Sequence, residues 1–104
     1  VDTATGAVRT DIGRADGKPG RGDGATDLPR DVVVAPGGGG GGEGTLYFTE
    51  FGSNSVRALD LASGATRTLA TGLRGPWGMD VAPDGGSLVV ADSYNNRVVV
   101  VPLL

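Results

Sequence analysis

The second half of the chain is a succession of short apolar runs set apart by turn residues. Leu46-Tyr-Phe-Thr-Glu50, Val56-Arg-Ala-Leu-Asp60, Thr66-Arg-Thr-Leu-Ala70, Gly78-Met-Asp-Val-Ala82, Leu88-Val-Val-Ala-Asp92 and Val98 to Val101 are each four or five residues long. They are rich in β-branched and aromatic side chains, which fit a pleated, half-buried surface. Between them stand Gly52-Ser-Asn54, Ser63-Gly64, Gly72, Gly75-Pro76, Pro83-Asp-Gly-Gly86 and Asn95-Asn96, residues that accept the backbone angles of tight turns. No window sustains a helical apolar period. The pattern predicts an antiparallel, all-β fold of short strands. Residues 11–44 have a different texture: they are polar, rich in Gly and Asp, and hold one short apolar run, Asp31-Val-Val-Val-Ala35.

The runs repeat. Pro29-Arg-Asp-Val-Val-Val-Ala-Pro36 aligns with Pro76-Trp-Gly-Met-Asp-Val-Ala-Pro83 at an offset of 47. Leu46-Tyr-Phe-Thr-Glu50 aligns with Leu88-Val-Val-Ala-Asp92 at an offset of 42, as does Asn54-Ser-Val56 with Asn96-Arg-Val98. The glycine run Gly37 to Gly42 takes up the difference by lengthening one hairpin loop. A third, partial copy opens the chain: Val1 to Thr10 aligns with Leu59 to Thr68 at an offset of 58, the excess falling in the loop around residues 13–27. A repeat of about 45 residues that holds four strands is the unit of a β-propeller blade. Runs such as Leu88-Val-Val-Ala are nearly continuous rather than alternating, which predicts a sheet covered on both faces.

Pro76-Trp-Gly-Met-Asp-Val-Ala-Pro-Asp-Gly85, followed by Leu88-Val-Val-Ala-Asp-Ser-Tyr-Asn-Asn-Arg-Val98, resembles an NHL repeat. That family's pattern runs Pro-x-Gly, an apolar strand, Asp-Gly, an apolar strand ending in Asp, then Asn-x-Arg and an apolar residue. The earlier copy departs from it: Asp31 stands for the first Gly, Glu50 for the Asp and Ser55 for the Arg. Gly17-Lys-Pro-Gly-Arg-Gly-Asp-Gly-Ala-Thr26 resembles the Gly-Asp-Gly segment between such repeats. The resemblance implies antiparallel four-stranded blades of a propeller, here an incomplete ring of two, in a family of about six blades. It implies a binding platform for protein or RNA and, in some members, an enzyme. The expected organisation is the last strand of a preceding blade in 1–12, a Gly/Asp-rich inter-blade loop in 13–27, a complete blade in 28–72 with a Gly-rich insertion at 37–44, and a blade lacking its last strand in 73–104. The strand at Val98 to Val101 is then expected to keep a free edge, and fewer than three repeats are marginal alone. Further blades or copies of the same chain are therefore among the expected partners.

Composition narrows the chemistry. The chain has 104 residues, 20 Gly, 6 Pro and a net charge of −3, which speaks against a strongly basic nucleic-acid surface while leaving room for a local Arg patch. With no Cys and no His, it forms no disulfide, thiolate nucleophile, Cys/His zinc site or Ser-His-Asp triad. The apolar runs are too short to span a bilayer as helices, so no membrane partner is expected. The chain opens on Val1 without a Met, which reads as a fragment or processed piece and leaves the compartment unspecified.

No catalytic residue, cofactor or metal site is therefore expected. The candidate binding face is Arg57, Arg74, Trp77, Tyr94 and Arg97, drawn from loops and strand ends. Asp92, Asn95 and Asn96 are read as structural turn residues, because Asn tolerates left-handed geometry and Asp bonds backbone N–H groups there. Arg21-Gly-Asp23 is an adhesion tripeptide that a chain of this composition produces by chance. Asp11, Asp16, Asp23, Asp27 and Asp31 crowd one loop, but their spacing fits no EF-hand. The glycine run lacks the Lys-Ser/Thr of a phosphate loop. The resemblance admits a metal-dependent, lactonase-like hydrolase fragment as an alternative, although Trp77 occupies the place where those enzymes carry Asn. The expected role is a non-catalytic scaffold binding protein, with an RNA-binding platform as a further alternative. The RNA reading requires Arg57, Arg74 and Arg97 to share one face.

Overall fold

A computed structural model of the chain describes residues 26–35 and 44–103, together with Gly13 and Gly20. Seven strands follow in order: β1 (Pro29–Ala35), β2 (Thr45–Glu50), β3 (Ser55–Asp60), β4 (Thr66–Ala70), β5 (Pro76–Val81), β6 (Ser87–Asp92) and β7 (Arg97–Pro102). A 3₁₀ turn, η1 (Ser93–Asn95), leads into β7. The strands form one four-stranded sheet in the order β1-β2-β3-β4 and one three-stranded sheet in the order β5-β6-β7, both antiparallel and not closed into a ring. The strand expected in 1–12 and the glycine run lie outside the described residues.

The turns obey local chemistry. Asn54 and Asn96, one at each equivalent hairpin, have φ of 55°, the left-handed region that Asn accepts better than most side chains. Between β5 and β6, the Gly85 N–H donates to the Ala82 carbonyl at 2.8 Å and the Gly86 N–H to the Asp84 carboxylate at 2.9 Å. The first strands of the two sheets, β1 and β5, share an irregularity that their sequences do not announce. Pro29 pairs with Glu50 and Val32 with Phe48, so Arg30 and Asp31 together oppose Thr49. Pro76 pairs with Asp92 and Met79 with Val90, so Trp77 and Gly78 together oppose Ala91. These are equivalent β-bulges, and a bulge re-aims the side chains it carries.

The sheets stack face to face. Tyr47, Val56 and Ala58 of the first sheet meet Met79, Leu88, Val90 and Val101 of the second, with Leu73 of the connecting segment, and all are buried. Val33, Ala35, Val81 and Val99 extend this core. Full burial of each large aliphatic side chain is worth about 1.5–3 kcal/mol before the entropy of ordering is set against it. On the opposite face of the first sheet, Phe48 and Leu59 are also buried. The second sheet departs from the expectation of cover on both faces. Leu88 and Val90 point into the core, whereas Val89, Val98 and Val100 on the other face are exposed. The period of two sends neighbouring residues of a continuous apolar run to opposite faces, and among the described residues only one face of this sheet has a neighbour.

Candidate functional site: an aromatic and arginine rim at the seam between the sheets

At one end of the stack, polar groups fasten the two sheets together. The Asp31 carboxylate accepts the Met79 N–H at 2.7 Å through Oδ2 and the Val32 N–H at 2.9 Å through Oδ1. Buried Thr49 serves both sheets: its Oγ1 accepts the Asp31 N–H at 3.0 Å and donates to the Trp77 carbonyl at 2.9 Å. The residue that replaces the first Gly of the family pattern is thus the one that reaches β5 of the neighbouring sheet.

The bulges turn Arg30 and Trp77 outward, and these equivalent residues meet. The Arg30 guanidinium lies 4.3 Å from the Trp77 ring centroid and 4.6 Å from that of Phe51. Phe51 packs edge-on against Trp77 at 6.3 Å and against Tyr94 at 5.7 Å. Edge-to-face geometry suits the aromatic quadrupole, and a cation over the ring face adds attraction. Trp77 is 49% and Tyr94 59% exposed, so the cluster presents ring area to solvent while its members hold one another in place. Gly75, at φ 59°, lies beneath Tyr94: a Cβ there would come within 2.8 Å of the ring. Leu28 adds an exposed aliphatic side chain beside β1.

Buried carboxylates anchor the loops that carry this rim. Asp92 is fully buried, accepting the Arg74 N–H at 2.6 Å, the Asn95 amide at 2.9 Å and Arg97 Nε at 2.7 Å. Burial pushes its carboxyl upward, but the three hydrogen bonds and the Arg97 charge outweigh that and hold it below its ordinary value. The Tyr94 N–H in turn donates to the Arg74 carbonyl at 2.9 Å, and the Asn54 side chain accepts the Gly75 N–H at 2.9 Å. In the first sheet the same corner is built differently. Glu50 occupies the Asp92 position, and Ser55 occupies that of Arg97. The guanidinium comes instead from Arg57, two residues along the strand, which donates to Glu50 at 3.0 Å and to Thr66 Oγ1 at 3.1 Å. Glu50 also accepts the Ser53 hydroxyl at 2.6 Å. Its additional methylene supplies the reach that the displaced arginine requires.

Of the residues read from sequence, Trp77 and Tyr94 stand together on the rim through Phe51, and exposed Arg74 adjoins Tyr94. Arg97 is 54% exposed while bound to Asp92 at the start of β7. Arg57 sits apart, buried against Glu50, so the three arginines do not share an open face. Asn95 donates to Asp92, and Asn96 adopts the left-handed turn conformation. Arg30 and Phe51 escaped notice in the sequence, although the 47-residue offset that relates Arg30 to Trp77 was available to point at it. The rim has exposed cations in Arg30, Arg74 and Arg97, whereas Asp92 and Glu50 are tucked inward. Among the described residues, no three carboxylates come together as a metal site. Asp11, Asp16 and Asp23 of the acidic loop and the Arg21-Gly-Asp23 tripeptide lie outside those residues.

Two antiparallel sheets, of four and three strands, stack by their broad faces. The family model named NHL repeat matches residues 73–101, which take in β5, β6 and most of β7, and the match points to a module of β-propeller type. No curated protein matches the chain.

Proposed function

We propose that the chain is a non-catalytic binding module of NHL propeller type, and that it holds a protein ligand on the rim formed by Arg30, Phe51, Trp77 and Tyr94. The observation that carries this reading is the mutual packing of three aromatic rings and a guanidinium across the seam, with two rings about half exposed. Rigid aromatic side chains and arginine dominate the energetics of protein interfaces because they bury large area for little lost rotamer freedom. Arg74 and Arg97 flank the rings while Glu50 and Asp92 are buried, so the ligand expected is a peptide segment with acidic and apolar side chains. The net charge of −3 and the removal of Arg57 from the surface favour protein over RNA.

Trp77 is the only tryptophan, which makes the rim its own reporter. A displayed peptide library is selected on the wild-type chain and counter-selected on Trp77→Ala. The expected result is a set of acidic, apolar peptides that shift Trp77 emission and lose at least tenfold in affinity, about 1.4 kcal/mol, against Tyr94→Ala. Oligouridylate leaves the emission unchanged. Selected peptides that bind both variants as well as the wild type would refute the assignment, as would saturable, salt-sensitive binding of oligouridylate alone.

A further inference from the structure

The rim is rich in unused hydrogen-bond donors, while the acceptors beside them are engaged. Among the described residues, neither the Trp77 indole N–H, nor the Tyr94 hydroxyl, nor the guanidinium of Arg30 or Arg74 makes a hydrogen bond. The Trp77 carbonyl accepts the Thr49 hydroxyl at 2.9 Å, the Arg74 carbonyl the Tyr94 N–H at 2.9 Å and the Leu28 carbonyl the Phe51 N–H at 2.9 Å. The Glu50 and Asp92 carboxylates are buried against Arg57 and Arg97, and that of Asp31 is held by the Met79 and Val32 N–H groups.

A ligand that matches this surface supplies acceptors and brings few donors. An α-helix pairs its carbonyls internally, so it would strip water from the rim donors without replacing it. An added β-strand needs a strand edge, and the rim is built from the bulges of β1 and β5, the residue after β2 and the turn η1. A polyproline II segment leaves every backbone carbonyl free, and each proline in it removes one N–H. Its compact apolar rings suit the exposed faces of Trp77 and Tyr94, both of which stand nearly perpendicular to Phe51, at 88° and 84°. Leu28 is a second sign of ligand contact. Its φ of 52° is a left-handed conformation that Leu adopts at a cost, and its side chain is exposed, so neither backbone preference nor burial accounts for Leu there. Strain of this kind gathers where a ligand is held.

We infer that the ligand of the rim is a proline-rich peptide segment in the polyproline II conformation, with an acidic residue beside its prolines; this rests on the rim being the ligand surface, as proposed above. The prolines pack on Trp77 and Tyr94, and the segment's carbonyls accept the Trp77 indole N–H and the Tyr94 hydroxyl. The Arg30 guanidinium, already held over Trp77 and Phe51, takes the carboxylate, and an apolar side chain covers Leu28. Proline fixes the ligand's backbone before it binds, so little conformational freedom is lost.

The test uses the peptides selected on the wild-type chain and lost on Trp77→Ala, with Tyr94→Ala as the counter-selection should Trp77→Ala not fold. They are expected to carry Pro-x-x-Pro spacing beside Asp or Glu. Replacing their prolines by Ala is expected to weaken binding about tenfold or more, read from Trp77 emission. Replacing them by N-methylalanine, which also lacks the N–H, is expected to keep affinity within about threefold. Tyr94→Phe keeps the ring and loses only the donor, and is expected to weaken binding about three- to tenfold with the wild-type circular dichroism. Peptides that depend on Trp77 but lack proline, or that bind unchanged after the Ala replacement, overturn the inference and leave the rim reading standing. A Tyr94→Phe chain that binds as tightly as the wild type overturns it as well. The absence of any peptide that depends on Trp77 or Tyr94 overturns both readings.

Discussion

Replacing Asp31 by alanine removes the acceptor that joins β1 to β5. The Met79 N–H loses its 2.7 Å partner, and Met79 is buried, so water does not readily replace it. Hydrogen bonds to charged groups contribute roughly 1.5–3 kcal/mol, and a buried N–H left without a partner costs about 1–3 kcal/mol. The second bond, to the Val32 N–H, is at the surface and its loss is largely made good by solvent. The expected destabilisation is therefore about 2–3 kcal/mol. Asn at the same position keeps a neutral acceptor, and Asp31→Asn is expected to lose about half as much. For a domain this small, 2 kcal/mol lowers Tm by roughly 10 °C. Urea unfolding at one fixed protein concentration, with Trp77 emission and circular dichroism both followed, supplies the free energies. Asp80→Ala, an exposed carboxylate on β5, is the control and should change stability by no more than about 0.5 kcal/mol. An Asp31→Ala chain as stable as Asp80→Ala would refute the assignment of Asp31 as the fastener between the sheets.

Other perturbations follow from the same geometry. Asp92 has its carboxyl held below its ordinary value of 3.8, so its contribution is fully present above that pH and is lost as pH falls through the depressed folded value. Acid unfolding monitored by Trp77 emission should accordingly move to higher pH in Asp92→Asn, and an unchanged acid midpoint would contradict the burial of a charged Asp92. Arg57→Met should cost about 3–5 kcal/mol by leaving Glu50 buried without its guanidinium, and the double change with Glu50→Leu should recover much of that loss, both read from urea midpoints. Gly75→Ala should cost more than Gly64→Ala: both have positive φ and lose about 1 kcal/mol on that ground, but only Gly75 has the Tyr94 ring above it. The additional displacement of Tyr94 should appear as a change in its aromatic resonances.

The strands and turns were legible in the sequence because they depend on local chemistry. Short apolar runs rich in β-branched and aromatic residues, Gly-Pro punctuation and the paired Asn54 and Asn96 placed six of the seven strands to within about two residues, and placed β1 from the short run beginning at Asp31. The NHL resemblance of residues 76–98 coincides with the family match at 73–101. What could not be read is what depends on the relation between the sheets. Asp31, Glu50 and Ser55 looked like departures from a repeat pattern. In three dimensions Asp31 bridges to Met79, and Glu50 receives the displaced Arg57. The two bulges add one residue each, the first at Arg30 and Asp31 with no Gly among them, and they help to bring Arg30 over Trp77. Arg57 looked available because alternation along β3 fixes its face but says nothing of a carboxylate waiting there. Likewise the run Leu88-Val-Val-Ala promised burial of every residue, whereas burial is set by how many neighbours a sheet has.

The rim is the centre of the functional reading, and backbone chemical-shift mapping with the tightest selected peptide tests it most directly. The chain is labelled with nitrogen-15 and the peptide is titrated to saturation. Perturbed amides are expected to gather at residues 28–31, 51–54, 74–78 and 93–97, together with the Trp77 indole N–H, and to leave the loops at 61–65 and 83–86 unmoved. Perturbations confined to those opposite loops, or to β6 and β7 around Val89, Val98 and Val100 with the indole N–H unshifted, would contradict the rim as the ligand surface.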